Sequence, residues 1–180
     1  MHHDIEKVLV AEEVIEKRLD VIAELITADF GNEETLQAVA ILKGALVFMA
    51  DLLRRVPLKL DLECLNVASY HGGTESSGQV DFLDQNFPEV KGRTILLLDD
   101  ILDTGRTLQA VSAKLLEMGA KEVKTCVLLS KDKKRAAEVE ADYFAFEIGD
   151  EFVVGYGLDY EGKYRNLPYV GVLKSEVIQG

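Results

Sequence analysis

The sequence has few cysteines that could form a disulfide or bind a metal ion. It contains 2 cysteines in 180 residues. Cys64 and Cys126 each lie in an apolar, strand-like segment and lack the C-x-x-C spacing of a metal or redox site. Isolated cysteines in such surroundings usually behave as small buried apolar residues. We therefore expect two free thiols, without a disulfide or a metal centre at either position.

Basic residues and long apolar runs are also scarce. The chain has 20 Lys and Arg against 32 Asp and Glu, which gives a formal net charge of −12. Binding to nucleic acid depends mainly on cationic contacts with phosphates, so this balance argues against a nucleic-acid partner. No segment approaches the roughly 18 consecutive apolar residues that cross a bilayer. Residues 1–6 lack the basic and apolar regions of a secretory signal. We expect a cytoplasmic protein without membrane contact.

What the chain does have is enough apolar content for a core. Hydrophobic residues make up 48% of the sequence, and there are no internal repeats or low-complexity tracts. Apolar spacing predicts a helix over residues 11–27 and another over 45–55, with strands at 36–42, 58–68 and 123–129. Alternation of strands and helices is typical of a parallel α/β sheet. The sequence thus predicts one domain over residues 1–180.

The most informative stretch is residues 94–108. Residues 95–98 form a continuous apolar run, which indicates a strand buried on both faces. Asp99 and Asp100 follow this run directly, and a helix is predicted over 107–118. Open α/β sheets bind ligands at the carboxyl ends of their strands, where helix N-termini also present unpaired N–H groups. We therefore expect an anionic ligand at this point.

The loop between the acids and the helix suits a phosphate monoester. Gly105 permits a tight backbone turn, and Thr104 and Thr107 add hydroxyl donors to a nest of N–H groups. Asp99 and Asp100 can accept hydrogen bonds from a vicinal diol or hold Mg²⁺. A ribose 5-phosphate unit has both features. An isolated Asp here would more often cap a helix, but three acids behind a buried strand favour the ligand.

This pattern resembles the signature of the type I phosphoribosyltransferases: an apolar strand, two acids, two apolar residues, then an acid or Ala followed by Thr-Gly-x-Thr. Four further segments narrow the similarity to the hypoxanthine-guanine phosphoribosyltransferases. They are Leu42-Lys43-Gly44, Ser69-Tyr70 with the Gly/Ser-rich stretch behind it, residues 131–135 and residues 146–165. In one departure, Asp99 stands where this subfamily usually has Glu.

The resemblance implies an α/β fold with a parallel twisted sheet flanked by helices and a small C-terminal β hood. The core would span about 28–141, and the hood about 1–27 and 142–180. The hood strands are predicted at 143–146, 152–154 and 169–173, with the N-terminal helix joining them. In the resembled family the peptide between Leu42 and Lys43 is often cis, and homodimers or homotetramers are usual.

The implied reaction moves ribose 5-phosphate from phosphoribosyl pyrophosphate to N9 of a 6-oxopurine, with Mg²⁺ as cofactor. Asp103 is the implied catalytic residue, acting at N7 of the base. The phosphoribosyl pyrophosphate site comprises Lys43, Gly44, Ser69, Tyr70, Asp99, Asp100, Asp103, Thr104, Gly105, Arg106, Thr107 and Arg165. The purine site comprises Lys131, Phe152, Val153 and Asp159. The implied metal ligands are Asp99, Asp100 and Asp159, and residues 69–78 are the implied closing loop.

Position supports Lys131 as the group that selects the base. Lys131 follows the predicted strand 123–129 and therefore falls at a carboxyl end, as Asp99 does, whereas Lys133 and Lys134 are expected to remain in water. Without the resemblance, residues 131–135 would be interpreted as a solvated basic loop. A lysine donor favours a 6-oxo group and disfavours the 6-amino group of adenine.

Two other functions, an NTPase and an RNA-binding regulator, each match part of the sequence. Residues 73–78 have the glycine spacing of a nucleotide-binding Walker A loop, but Gln79 and Val80 stand where Lys and Ser or Thr are required. An NTPase is therefore excluded. Some proteins that resemble phosphoribosyltransferases bind RNA as regulators, and a basic face is expected of them. The basic residues cluster only at 131–135, so this alternative stays open but less favoured.

Overall fold

The computed structural model describes residues 2–69, 80–84, 87–133, 136–137 and 139–179. Apart from the backbone of Ser69, the predicted closing loop, including Tyr70, lies outside these ranges. The elements in chain order are β1 (Ile5–Val10), α1 (Glu12–Phe30), β2 (Leu36–Leu42), α2 (Leu46–Leu53), β3 (Leu60–Ser69), β4 (Val80–Phe82), β5 (Thr94–Leu102), α3 (Arg106–Glu117), β6 (Glu122–Lys131), β7 (Tyr143–Ile148), β8 (Val153–Val154), β9 (Val170–Leu173) and α4 (Ser175–Gln179).

The predicted α/β fold with a parallel sheet is confirmed. Within the described ranges, six strands form the main sheet in the order β4-β3-β2-β5-β6-β7. The central pairs β2–β3, β2–β5, β5–β6 and β6–β7 are parallel, and β4 adds an antiparallel edge. Because parallel strands share one direction, the carboxyl ends of β2, β5 and β6 meet at one edge.

Helices cover both faces of the sheet, and β5 shows why. Its side chains alternate: Leu96 and Leu98 pack in the cluster that includes residues of α1 and α2, whereas Ile95 and Leu97 pack with those of α3. Because successive side chains of a strand point to opposite faces, a continuous apolar run is stable only between two apolar layers. In the part of the chain that the structure describes, no helix combines the length and apolar character needed to cross a bilayer.

The hood is a three-stranded antiparallel sheet in the order β1-β9-β8. Its composition differs from the prediction at residues 143–146. These residues belong to β7, which pairs in parallel with β6 in the main sheet. Tyr143, Ala145 and Ile148 of β7 are buried in the same cluster as α1. The physical reason is that β7 covers the otherwise unpaired edge of β6 and buries its apolar face beneath α1.

The N-terminal contribution to the hood is also different from the prediction. The predicted helix is present as α1, but its apolar face packs on the main core through Ile15, Leu19 and Ile22. The short strand β1, which periodicity did not identify, supplies the hood instead by pairing with β9. A long amphipathic helix buries more apolar surface against the large sheet than against a three-stranded one, which favours this arrangement.

Asp29, near the end of α1, links this helix to the sheet. Its carboxylate accepts hydrogen bonds from the hydroxyl of Tyr143 and, at 3.2 Å, from Lys124 Nζ. The Tyr143 hydrogen bond, followed by that of Lys124, lowers the pKa of Asp29 below its ordinary value of 3.8. A carboxylate whose pKa is lower in the folded state stabilises the protein above its unfolded pKa, and this stabilisation is lost as the pH falls through the folded value.

We therefore predict that Asp29→Asn lowers the melting temperature near neutral pH. The melting temperature of the variant should also change less than that of the parent as the pH is lowered. The parent should lose stability below about pH 4, while the variant loses less, so that the two melting curves converge. Thermal unfolding monitored by circular dichroism across this range checks the prediction. Glu122→Gln, which neutralises an exposed carboxylate, serves as the control and should keep the parent's acid dependence. Parallel curves for Asp29→Asn and the parent would contradict the assignment.

Candidate active site

A cleft of about 210 Å³ opens at the carboxyl edge of the main sheet. Its lining includes the end of β2, the second half of β5 and the loop that leads into α3. The pairing of β2 with β5 stops at Leu98, whereas β5 continues beside β6 as far as Leu102. Because β2 stops pairing with β5 there while it stays paired with β3, β5 presents Asp99 and Asp100 on a side without a paired neighbour. The strand is thus longer than the predicted run of 95–98.

Asp99 and Asp100 form a desolvated acid pair. The backbone N–H of Asp100 donates to Asp99 Oδ1 at 2.9 Å. Burial raises the pKa of Asp99 well above its ordinary value, and the charge of Asp100 raises it further. Burial also raises the pKa of Asp100, while hydrogen bonds and the positive charge of Arg165 oppose the shift. Asp99 is buried and Asp100 half-buried, and adjacent carboxylates in such a place are stabilised by a cation or by hydrogen-bond donors, so their oxygen atoms fit a hard divalent ion such as Mg²⁺.

The loop after β5 has the geometry of an anion nest. Gly105 has φ of 79° and precedes the first residue of α3, so the chain enters the helix from a left-handed conformation. A side chain at Gly105 would be strained, and its Cβ would lie 2.5 Å from Val139 Cγ1. The Arg106 N–H points towards Thr104 Oγ1 at 3.5 Å. Thr107 also lines the cleft. This arrangement leaves the N-terminus of α3 directed at the cleft.

The turn after β2 reaches the acid pair from the opposite side. The Leu42–Lys43 peptide is cis, as the resemblance implied. Gly44 lies against the carboxylate of Asp100 so closely that a Cβ built at Gly44 would overlap the Asp100 oxygen atoms. The structure therefore brings Lys43 and Gly44 together with Asp100, and glycine is required at position 44 because nothing larger fits.

Lys131 and Asp103 meet across two strand ends. Lys131 is the last residue of β6 and only 8% exposed, and its Nζ lies 3.6 Å from Asp103 Oδ2. The same Nζ lies 3.2 Å from Asp150 Oδ1, on the turn after β7. The expectation that Lys133 stays in water is wrong. Lys133 Nζ lies 2.5 Å from Asp103 Oδ1 and 2.8 Å from Asp150 Oδ1, because a tight turn after β6, closed by the Lys133 N–H on the Lys131 carbonyl oxygen, keeps this side chain at the strand ends.

Sequence reasoning missed Lys133 and Asp150 as members of this site. A weak signal existed, because Lys131 and Lys133 have the spacing of side chains on one face of a strand. The signal from Asp150 was absent, since its approach depends on the parallel pairing of β6 with β7. Lys134 lies outside the described residues.

The hood contributes a second charged group. Arg165 donates from Nη1 to the carbonyl oxygen of Gly157 at 2.6 Å, and its Nη2 lies 2.6 Å from Asp159 Oδ1. The other Asp159 oxygen accepts the backbone N–H of Gly162 at 2.7 Å. Asp159 therefore holds Arg165 in this structure. The positive charge of Arg165 also lowers the pKa of Asp100, so the hood contributes a cation that acts on the acid pair.

Phe152 and Val153 lie at the start of the second hood strand and differ in burial. Val153 is buried in β8, where its backbone pairs with β9. Phe152 is 43% exposed and contacts Tyr160 edge-on, with ring centroids 5.5 Å apart. One face of the Phe152 ring is thus not covered by the core, as expected of an aromatic residue that stacks on a planar ligand.

Comparison with known proteins agrees with this geometry. The family model described as phosphoribosyl transferase domain matches residues 9–161. The hypoxanthine-guanine phosphoribosyltransferase of Staphylococcus epidermidis is 43% identical over 98% of each chain, and that of Bacillus subtilis is 44% identical over 99% of each.

Solved structures give the same result. A hypoxanthine phosphoribosyltransferase of Staphylococcus aureus superposes with a TM-score of 0.92 at 41% identity, covering 98% of this chain and 96% of that one. The Trypanosoma cruzi hypoxanthine phosphoribosyltransferase has the same TM-score at 34% identity, covering 99% and 96%. With its sheet order, acid pair and the Gly105 loop before α3, the chain belongs to the hypoxanthine-guanine phosphoribosyltransferase family of type I phosphoribosyltransferases.

Proposed function

We propose that the protein transfers ribose 5-phosphate from phosphoribosyl pyrophosphate to N9 of hypoxanthine or guanine, releasing pyrophosphate and forming IMP or GMP. The observation that carries the proposal is the pair of Lys131 Nζ and Asp103 Oδ2, 3.6 Å apart at the mouth of the cleft. A 6-oxopurine has O6 and N7 side by side on one edge. A donor beside an acceptor matches that edge when N7 carries its proton.

The phosphoribosyl end of the cleft supplies complementary groups. The N–H groups at Thr104, Gly105 and Arg106, with the Thr107 hydroxyl, bind the 5-phosphate in this proposal, because they lie at the N-terminus of α3. Lys43, Gly44 and Arg165 bind the pyrophosphate, and Ser69 and Tyr70 cover it. Asp99 and Asp100 accept hydrogen bonds from the ribose hydroxyls. These groups hold phosphoribosyl pyrophosphate in the cleft and offset the negative charge of the departing pyrophosphate.

Mg²⁺ fits the acid pair, since the buried Asp99 and the half-buried Asp100 offer adjacent carboxylate oxygen atoms, the donors that a hard divalent ion prefers. We propose Asp99 and Asp100 as its ligands, with Asp159 as a ligand of a second ion once it releases Arg165. When bound, Mg²⁺ supplies Lewis-acid stabilisation of the leaving pyrophosphate.

The chemistry at the purine is then a matter of charge and proton position. As the pyrophosphate leaves, C1′ of the ribose becomes oxocarbenium-like, and N9 attacks it from the opposite face. The purine becomes more acidic at N7, and the Asp103 carboxylate accepts that proton or its hydrogen bond. Lys131 donates to O6, Phe152 stacks on the ring, the Val153 backbone contacts the ring edge and Asp159 lies near the 2-position.

A steady-state assay with phosphoribosyl pyrophosphate, Mg²⁺ and four purines tests the proposed function. We expect turnover with hypoxanthine or guanine and much weaker turnover with adenine, because adenine would leave the Lys131 ammonium facing an amino group. Xanthine serves as the third 6-oxopurine. A parent enzyme that prefers adenine, or that turns over none of the four bases, would overturn the proposal.

Lys131→Ser is predicted to change the choice of base. The substitution removes a charge-assisted donor to O6, a contact that contributes roughly 1.5–3 kcal/mol, so kcat/KM for hypoxanthine and guanine should fall by about 10- to 150-fold. Adenine use should be spared or raised, since no donor then opposes its 6-amino group. Lys121→Ser, at an exposed lysine, is the matched control. An equal loss for all bases would show that Lys131 acts through stability or the pyrophosphate.

The net charge of −12 argues against a nucleic-acid partner, so an anionic substrate depends on the local cations of the cleft. We propose that the protein acts in the cytoplasm as a homodimer or homotetramer. Sedimentation velocity with and without phosphoribosyl pyrophosphate would test the assembly.

A further inference from the structure

The structure contains a four-membered cluster of alternating charges at the purine end of the cleft. We call it the lysine–aspartate cluster, and its members are Lys131, Lys133, Asp103 and Asp150. Each ammonium lies within 3.6 Å of an oxygen of both carboxylates. The two members expected from the resemblance are Lys131 and Asp103, whereas Lys133 and Asp150 have no assigned role.

Lys133 is held in place by the backbone as well as by charge. The Lys133 N–H donates to the carbonyl oxygen of Lys131 at 3.0 Å, and the Asp132 N–H donates to that of Ile148 at 2.8 Å. The Asp132 bond extends the β6–β7 pairing, and the Lys133 bond closes a tight turn after β6 that leaves the Lys133 ammonium beside Asp103 and Asp150. Its side chain is 29% exposed, which is low for a residue of a solvated loop.

The two oxygen atoms of Asp103 have different partners. Oδ2 faces Lys131 Nζ, while Oδ1 faces Lys133 Nζ at 2.5 Å. Oδ1 is buried and accepts no well-aligned hydrogen bond among the described residues, so the Lys133 contact is primarily an ion pair. The close contact with Asp103, followed by that with Asp150, raises the pKa of Lys133 above its ordinary value. Lys133 therefore stays charged at neutral pH.

We propose that Lys133 is a positioning residue for Asp103, and that Asp150 anchors Lys133 in turn. The inference rests on the proposed function. When the Lys131 ammonium moves to O6 of the purine, Asp103 loses one of its two cationic neighbours. Lys133 remains on Oδ1, which keeps the carboxylate ionised and directs Oδ2 at N7. Asp150 bridges the two lysines and so keeps their like charges close together at little cost.

The first test is Lys133→Gln, measured with hypoxanthine and guanine. Loss of a close charge partner should lower kcat by about 10- to 100-fold, because a misdirected carboxylate accepts the N7 proton poorly. KM for phosphoribosyl pyrophosphate should change by less than about threefold, since Lys133 does not face the phosphate loop. Lys133→Arg restores a charged donor and should recover kcat to within about threefold of the parent. Lys121→Gln is the control at an exposed lysine.

A double-mutant cycle separates positioning from an independent effect. If Lys133 acts through Asp103, adding Lys133→Gln to Asp103→Asn should lower kcat by less than about twofold further, because there is no carboxylate left to direct. Multiplicative losses would overturn the proposal, as would an unchanged kcat in Lys133→Gln or a loss confined to KM for phosphoribosyl pyrophosphate. If Lys133→Gln folds poorly, Lys133→Met, which keeps the aliphatic stem, must show the same loss of kcat.

These outcomes are distinct from failure of the proposed function. A parent protein without turnover of any 6-oxopurine would remove the reaction itself. A parent that turns over hypoxanthine or guanine while the Lys133 variants match it would leave the reaction intact and overturn only the role of Lys133.

Discussion

Asp103→Asn should lower kcat for hypoxanthine and guanine by about 10²- to 10⁴-fold, the range typical of a lost general base. The substitution keeps the shape of the side chain but removes the negative charge that faces Lys131 and Lys133. Affinity for phosphoribosyl pyrophosphate should change much less, because the phosphate loop at residues 104–107 is intact. Steady-state kinetics, with the affinity for the donor measured by calorimetry, distinguish the two effects.

The matched control for Asp103→Asn is Asp150→Asn, which removes the other carboxylate of the lysine–aspartate cluster. Asp150 contacts both lysines but is mostly exposed and does not line the cleft. We expect its loss to lower kcat far less than that of Asp103. An Asp103→Asn variant with the kcat of the parent would remove Asp103 from the chemistry.

Gly44→Ala should weaken binding of phosphoribosyl pyrophosphate with Mg²⁺ by about 100-fold. A methyl group at this position would overlap the Asp100 carboxylate, so Asp100 or the turn after β2 must move. Displacement of about 1 Å in a binding group can cost two orders of magnitude. Since Asp100 belongs to the buried acid pair, its new position would also leave the ribose hydroxyls and the cation without their ligand. Calorimetric titration of the donor measures the loss.

Gly31→Ala provides the control for a glycine without a role in the cleft. Gly31 follows α1 with φ of −62°, and a Cβ there would lie 2.8 Å from the Thr27 carbonyl oxygen, so alanine strains the end of α1 without touching the cleft. We expect this variant to bind the donor as the parent does. If Gly44→Ala also binds within about threefold of the parent, Asp100 can rotate away without loss, and its proposed contact with ribose or Mg²⁺ is wrong. Thermal unfolding of both variants separates a local effect from a general loss of stability.

Local patterns predicted the centre of the fold well. The apolar run before Asp99 could only be a strand buried on both faces, because an exposed run of that kind would be costly. The loop with Gly105 could be identified since a left-handed residue before a helix has few alternatives to glycine. The site residues at the end of β5 follow from these two local rules, and the structure places them around one cleft.

Local patterns did not predict which sheet a segment joins when it can pack against either of two. Residues 143–146 carry the alternation of a half-exposed strand, which suits a hood or a sheet edge equally well. Only the unpaired edge of β6 and the face of α1 decide that they form β7. The same applies to α1, whose apolar stripe does not indicate which sheet it covers.

The turn at Gly44 was expected only from the family resemblance. The sequence by itself determined the acid pair, the loop with Gly105 and the lysine at the end of β6. Each is fixed by residue type and by its place next to a strand or helix end, which are short-range properties. Tertiary structure alone decided how far apart they lie and which others join them. Asp103 lies between Lys131 and Lys133 because β5, β6 and β7 pair in one register. Such distances depend on sheet order and register, which are set by packing over the whole chain.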